Sequence, residues 1–228
     1  MLERGEYPKA PVFVGLIISL IGFWMLTPLY KGLLIAVGVR GVWTVLSYTL
    51  AQVTGFIALL LVMRWEGSEW RSVWFGERGI RAFIESVIFL AIAWVLWGFL
   101  YWLGGRLGLG TGYLEEMTRK GASHPQEILA FLAWGLSAAF FEETFYRGYS
   151  ITRLYSLTGN LILSAVVSIA FFTLLHLYFG PRIMLCILGW AILDTLLFIR
   201  RGTYASFYYH FVNNLLVYGL FPAFSLLK

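Results

Sequence analysis

The sequence predicts an all-α, polytopic transmembrane helix bundle with about seven spans (six to eight) around an intramembrane polar cavity. Three observations lead there. The mean hydropathy is +0.77. Only 13% of the 228 residues are charged, whereas a soluble domain usually carries about a quarter. Apolar runs of about 20 residues, the length that crosses a bilayer, recur along the whole chain.

Broken at charges, Gly and Pro, the runs are 11–30, 41–63, 82–103, 127–157, 160–178, 182–199 and 203–227. The first follows a charged stretch (Glu3, Arg4, Glu6, Lys9). It is longer than a signal-peptide core and no small-residue cleavage pattern follows it, so it is expected to remain as the first span. Runs two and three are separated by the polar loop 64–81, and runs three and four by 104–126. The fourth run has a readable start: Ser123 and Gln126 have capping-box spacing, and Pro125 suits a first helical turn. Its 31 residues would measure about 46 Å, against a hydrocarbon core of about 30 Å, so it must tilt or project at one end. Arg147, Tyr149, Arg153 and Tyr155 suggest that its later half meets an interface, and Gly159-Asn160 end it. No repeat, low-complexity tract or linker divides the chain, which reads as one integral membrane domain, 1–228.

The basic residues lie mostly between apolar runs, as interface anchors and topology signals. The net charge of +5 therefore does not point to nucleic acid. An inside N-terminus would place 10 basic residues inside, largely through the 64–81 loop, and 7 outside. The excess favours N-inside, in the cell (plasma) membrane. Cys186, the one cysteine, cannot form an internal disulfide and reads as a small core residue.

The ionisable residues left inside apolar runs are the candidates for function, because each is costly in hydrocarbon unless paired, protonated or hydrated. After Glu127 the acidic residues are Glu142, Glu143 and Asp194, and His176 and His210 are similarly embedded, while His124 is in a polar connection. Glu142 lies 17 residues before Gly159 and His176 lies 17 after it. An antiparallel hairpin turning at Gly159 would set both about 25 Å from the turn, at one depth. A strict up-and-down count leaves His210 nearer the other side. His210 and Asn214 are spaced i, i+4 and share a helix face, with Asn213 at i+3. Glu143 and Arg147 are also i, i+4, in the favourable order for an ion pair. Adjacent residues diverge by about 100° around a helix, so Glu143 can clamp Arg147 structurally while Glu142 is free to act chemically. Asp194 is open between a polar cavity wall, a helix–helix hydrogen bond and a pair with Arg200 or Arg201.

Three patterns occur in order: EExxxR at Glu142-Glu143-Thr144-Phe145-Tyr146-Arg147, FxxxH at Phe172 to His176, and HxxxN at His210 to Asn214. Together they resemble the CPBP family of intramembrane proteases, which includes CAAX-prenyl endopeptidases and bacteriocin-processing or immunity proteins. The resemblance covers roughly 125–220, the expected catalytic core, and leaves 1–125 as three variable spans. Asp194 departs from the pattern, since such proteins usually carry small or apolar residues there.

Residues and resemblance lead to one expectation: an intramembrane endopeptidase, a peptide hydrolase with catalytic residues Glu142, His176, His210 and Asn214. Glu142 would be general base to a water held with His176, and His210 and Asn214 would donate hydrogen bonds to the oxyanion. The substrate would be a peptide or protein, lipidated or membrane-bound ones included. No cofactor is required. Zinc is the alternative, held by Glu142, His176 and His210, although the chain has no HExxH helix. Two rivals use the same residues: a non-catalytic binding or immunity protein, and a small proton-coupled transporter. The transporter would be expected to show an inverted repeat, and none is found.

Overall fold

The structure, a computed structural model, describes residues 5–112 and 125–220, with residues 41 and 42 described by their backbone alone. Among the described residues every regular element is helical. The long segments are α1 (Lys9–Ala36), α2 (Leu46–Glu66), α3 (Ile80–Arg106), α4 (Pro125–Thr158), α5 (Leu161–Leu174), α6 (Pro181–Arg201) and α7 (Thr203–Asn214), which runs on through a π-helical turn, Leu215–Leu220. Each apolar run of the sequence holds one of them. The capping box proposed at Ser123 lies outside the described residues.

Among the described residues five helical stretches are long and apolar enough to cross a membrane. Helix α5 is shorter, at 14 residues, or about 21 Å at the α-helical rise. The run 160–178 is therefore not one helix: it turns at Leu175 and His176, passes through a 3₁₀ turn at Leu177–Phe179, and reaches Gly180 at φ +87° before Pro181 opens α6. Proline disfavours helical conformation at the residue before it, so the chain re-enters helix only at position 181. At the other end of α5, the Asn160 side chain accepts from the Leu163 N–H and caps the helix, one residue after Gly159 closes α4 in the left-handed conformation.

Helix α3 packs against α6 and α7, α5 against α6, α1 against α2, and α4 against α2 and α7. Outward faces are apolar, with Ile17, Leu61, Val95 and Ile162 all exposed. Between helices the contacts use small residues and hydroxyls, as expected where lipid supplies no hydrophobic drive between helices. Ser19 meets Ser150 at 2.8 Å, Ser86 donates to the Ala205 carbonyl at 2.8 Å and Thr203 to the Val73 carbonyl at 2.6 Å. Gly148, immediately after EExxxR, is needed for such an approach: a Cβ there would lie 2.7 Å from the Val73 carbonyl oxygen.

Charged groups gather at one end of the bundle. Glu66 is buried against Arg153 at 3.0 Å and accepts from the Tyr149 hydroxyl, and the Arg153 guanidinium lies 3.9 Å from the Tyr7 ring centre. Arg201 pairs with Glu77 and Glu85 nearby. At the opposite end, the start of α6 meets the end of the α3 segment, where the Arg182 N–H donates to the Gly110 carbonyl at 3.1 Å.

Candidate active site

The site begins with a change of helix type. Helix α4 is α-helical to Glu142, and Glu143–Ile151 is π-helical, with all nine residues buried. Such turns are rare and frequently sit at functional positions. The wider turn alters what i, i+4 spacing delivers. Arg147 Nη1 is 3.5 Å from Glu143 Oε1, while Arg147 Nη2 reaches Asp194 Oδ2 on α6 at 2.9 Å. A carbonyl of the widened turn is met from α5, where the Ser168 hydroxyl donates to the Tyr146 oxygen at 2.7 Å.

A buried polar centre forms around Glu143. His210 Nδ1 lies 2.8 Å from Glu143 Oε1, the Ser206 hydroxyl reaches Glu143 Oε2, and the same hydroxyl is 2.6 Å from Asp194 Oδ1. Arg147 also lies over the Phe172 ring, 4.4 Å from its centre. The clamp expected between Glu143 and Arg147 is thus one edge of a larger cluster. Of the three settings left open for Asp194, the pair with Arg200 or Arg201 does not form, because those arginines hold Glu85 and Glu77. Asp194 instead links α6 to Arg147 and to Ser206 of α7.

Glu142 faces a different environment. Its Oε1 accepts from Gln52 Nε2 of α2 at 3.3 Å, and the carboxylate is within electrostatic reach of Tyr146, Tyr178 and Tyr218. Tyr178 is two residues past His176. His176 Nδ1 lies 2.6 Å from the Phe172 carbonyl oxygen. A carbonyl only accepts, so Nδ1 carries the hydrogen and Nε2 keeps its lone pair. The Phe172 ring stands between the two histidines, with centroids 4.8 Å from His176 and 6.5 Å from His210. Trp190 packs edge-on against His210 at 4.8 Å.

Asn214 shares the α7 face with His210, as their spacing requires. Its Nδ2 donates to the Gly135 carbonyl of α4 at 2.7 Å, and its Oδ1 accepts from Asn213 at 3.1 Å. One amide hydrogen of Asn214 remains for another acceptor. Sequence reasoning missed two polar residues, although signals were present. Ser206 precedes His210 by four positions, so Ser206, His210 and Asn214 form one stripe, and Gln52 is the one amide side chain in the run 41–63.

The ligand set considered for zinc does not converge. Among the described residues no three or more His, Cys, Asp or Glu side chains are grouped to hold a metal. Glu143 engages Nδ1 of His210, and Glu142 lies on the Gln52 side of the π-helical turn.

Comparison with known proteins adds a match to a family model over part of the chain. A family model described as Type II CAAX prenyl endopeptidase Rce1-like matches residues 124–216, which include EExxxR, FxxxH and HxxxN. The resemblance read from those motifs to the CAAX proteases of the CPBP family is borne out over this stretch, and the apolar helices with that match describe an integral membrane protein. No curated protein and no solved structure matches the chain.

Proposed function

We propose that the chain is an intramembrane endopeptidase that cleaves a peptide bond with water activated by Glu142 and His176. The observation that carries this reading is the unequal engagement of the paired carboxylates. Glu143 is held by His210, Ser206 and Arg147, whereas Glu142, also buried, has one hydrogen bond among the described residues, from Gln52. A buried carboxylate with so little fixed company is disposed to exchange protons.

In the proposed reaction, a water donates one hydrogen to Glu142 and the other to His176 Nε2. Glu142 takes the first proton as the water oxygen bonds to the scissile carbonyl carbon, whose oxygen becomes the oxyanion. Glu142 then returns that proton to the nitrogen of the leaving amine as the C–N bond breaks. His210 Nε2 and the remaining Asn214 N–H supply the oxyanion donors. His210 can donate from Nε2 while Nδ1 also donates only when the ring carries both hydrogens, and the Glu143 carboxylate beside Nδ1 provides the opposing charge. Glu143 therefore sets the donor state of His210, and Arg147, Asp194 and Ser206 hold Glu143. No step requires a metal.

The family description supports a protein or peptide substrate with a prenylated C-terminal tail as the first to try. The basic residues Arg153, Arg200 and Arg201 and the N-terminal Tyr7 gather at one end of the bundle, which supports a cytoplasmic N-terminus. Comparative peptidomics of cells carrying the wild type or Glu142→Ala tests the activity. A membrane-derived product that disappears in the variant is expected. Identical peptide profiles at equal protein levels would overturn the reading.

A further inference from the structure

Gln52 has one amide nitrogen occupied and one amide oxygen that is not. It sits on α2, is 1% exposed, and donates from Nε2 to Glu142 Oε1 at 3.3 Å. Its Oε1 is buried with no hydrogen-bond partner among the described residues. Facing the ionised Glu142 carboxylate, the amide presents its N–H side, because a carboxylate oxygen accepts a hydrogen and a carbonyl has none to give. The acceptor that remains is one amide width from the carboxylate proposed as general base. An unmatched acceptor in a membrane interior is costly, since hydrocarbon offers no donor.

A purely structural role is the competing explanation. One turn earlier on the same seam, Thr49 and Ser137 meet at 3.2 Å and tie α2 to α4. A tie of that kind needs the Gln52 N–H alone and leaves the carbonyl unexplained. The water at Glu142 does not account for it either, because both its hydrogens are directed to Glu142 and His176 in the proposed reaction. An extended peptide laid beside Glu142 offers backbone N–H groups that need acceptors.

We infer that Gln52 is a substrate-binding residue, its Oε1 accepting a backbone N–H of the peptide close to the scissile bond while its Nε2 holds Glu142. This rests on the protease reading and adds a contact from outside the stretch matched to the family, residues 124–216. One side chain would then register the substrate and orient the base. Bound substrate would satisfy the acceptor that the described residues leave unpaired.

An ester scan tests the contact. A fluorescent farnesylated peptide ending in Cys-aliphatic-aliphatic-X is prepared with each amide in turn replaced by an ester, which removes the N–H with little change of shape. Binding to Glu142→Gln protein in detergent is read by anisotropy, since that background keeps an acceptor for Gln52 and does not turn over. One ester position should weaken binding about tenfold, the scale of a lost hydrogen bond to a buried group. The same ester should cost Gln52→Leu or Gln52→Met little, with melting temperatures confirming that at least one of the two is folded. Equal ester penalties with and without Gln52 overturn the inference. If the wild type cleaves the all-amide peptide in that case, the protease reading stands and this contact alone falls. A peptide that is neither bound nor cleaved removes both.

Discussion

Arg147 is closer to Asp194 than to Glu143, at 2.9 Å against 3.5 Å, although Glu143 is its neighbour one turn away on the same helix. The π-helical turn explains the preference, because it displaces the i, i+4 register that would stack the two side chains. The strongest contact of the guanidinium is therefore between helices, and Asp194 is its main counter-charge.

This arrangement ranks two variants. Asp194→Asn leaves Arg147 with the longer contact and should cost about 3–5 kcal/mol, the scale of breaking a buried pair. Glu143→Gln keeps Arg147 paired with Asp194, so its cost should be nearer 1–3 kcal/mol, that of a hydrogen bond to a charged group. Its activity should nevertheless fall sharply, because His210 loses the carboxylate at Nδ1. Melting temperature and turnover in one detergent provide the check. A larger stability loss for Glu143→Gln than for Asp194→Asn would make Glu143 the main partner after all.

The second buried pair should behave as scaffold. Arg153→Met removes the partner of Glu66, which is 6% exposed, and should destabilise by about 3–5 kcal/mol. Adding Glu66→Gln should recover part of that loss. Turnover per folded molecule should stay near wild type in the double variant, because the pair lies at the end of the bundle and touches none of the proposed reacting groups. Inactivity of a well-folded double variant would contradict this assignment.

Much of the fold was legible because hydrocarbon imposes one simple rule: runs long and apolar enough become helices. Each of the seven runs holds a helix, and Gly159 with Asn160 marks the hairpin between α4 and α5. Legibility failed where length was not the deciding term. The run 160–178 reads as one span, yet its α-helix stops at Leu174 and leaves His176 in a turn before Gly180 and Pro181 open the next helix. The site was legible in residue type, since the ionisable groups in apolar runs are those that cluster. Their pairing was not, because ideal α-helical spacing assigns Arg147 to Glu143 and the π-helical turn gives it to Asp194. Gln52 escaped notice for another reason. A lone amide in an apolar run acquires meaning only when a carboxylate from another helix is placed against it.

Chelation should leave activity intact. The residues considered as zinc ligands are not gathered as a group of three or more among the described residues, and the proposed water activation by Glu142 and His176 needs hydrogen bonds alone. Purified protein treated exhaustively with a chelator should retain its turnover and hold less than one zinc per chain by elemental analysis. Loss of activity on chelation, restored by added zinc, would show that these side chains converge on a metal during catalysis.

The division of labour between the glutamates is tested most directly at Glu142. Glu142→Gln keeps the shape of the side chain and the carbonyl that Gln52 can donate to, but removes the proton acceptor. Hydrolysis should fall at least ~100-fold, the usual scale for a missing general base. Stability should change little or rise, because no arginine depends on Glu142: Arg147 retains Asp194 and Glu143. The contrast with Glu143→Gln then lies in rescue. Glu143 acts through His210, so replacing His210 with a neutral donor, His210→Gln, should make activity insensitive to a further Glu143→Gln change. No second substitution in that cluster should restore Glu142→Gln, whose lost function is the proton transfer itself. Turnover of the single and double variants, compared at matched folded fraction, decides the matter. If Glu142→Gln remains active while Glu143→Gln is dead in every background, the base is Glu143 and the two roles are reversed.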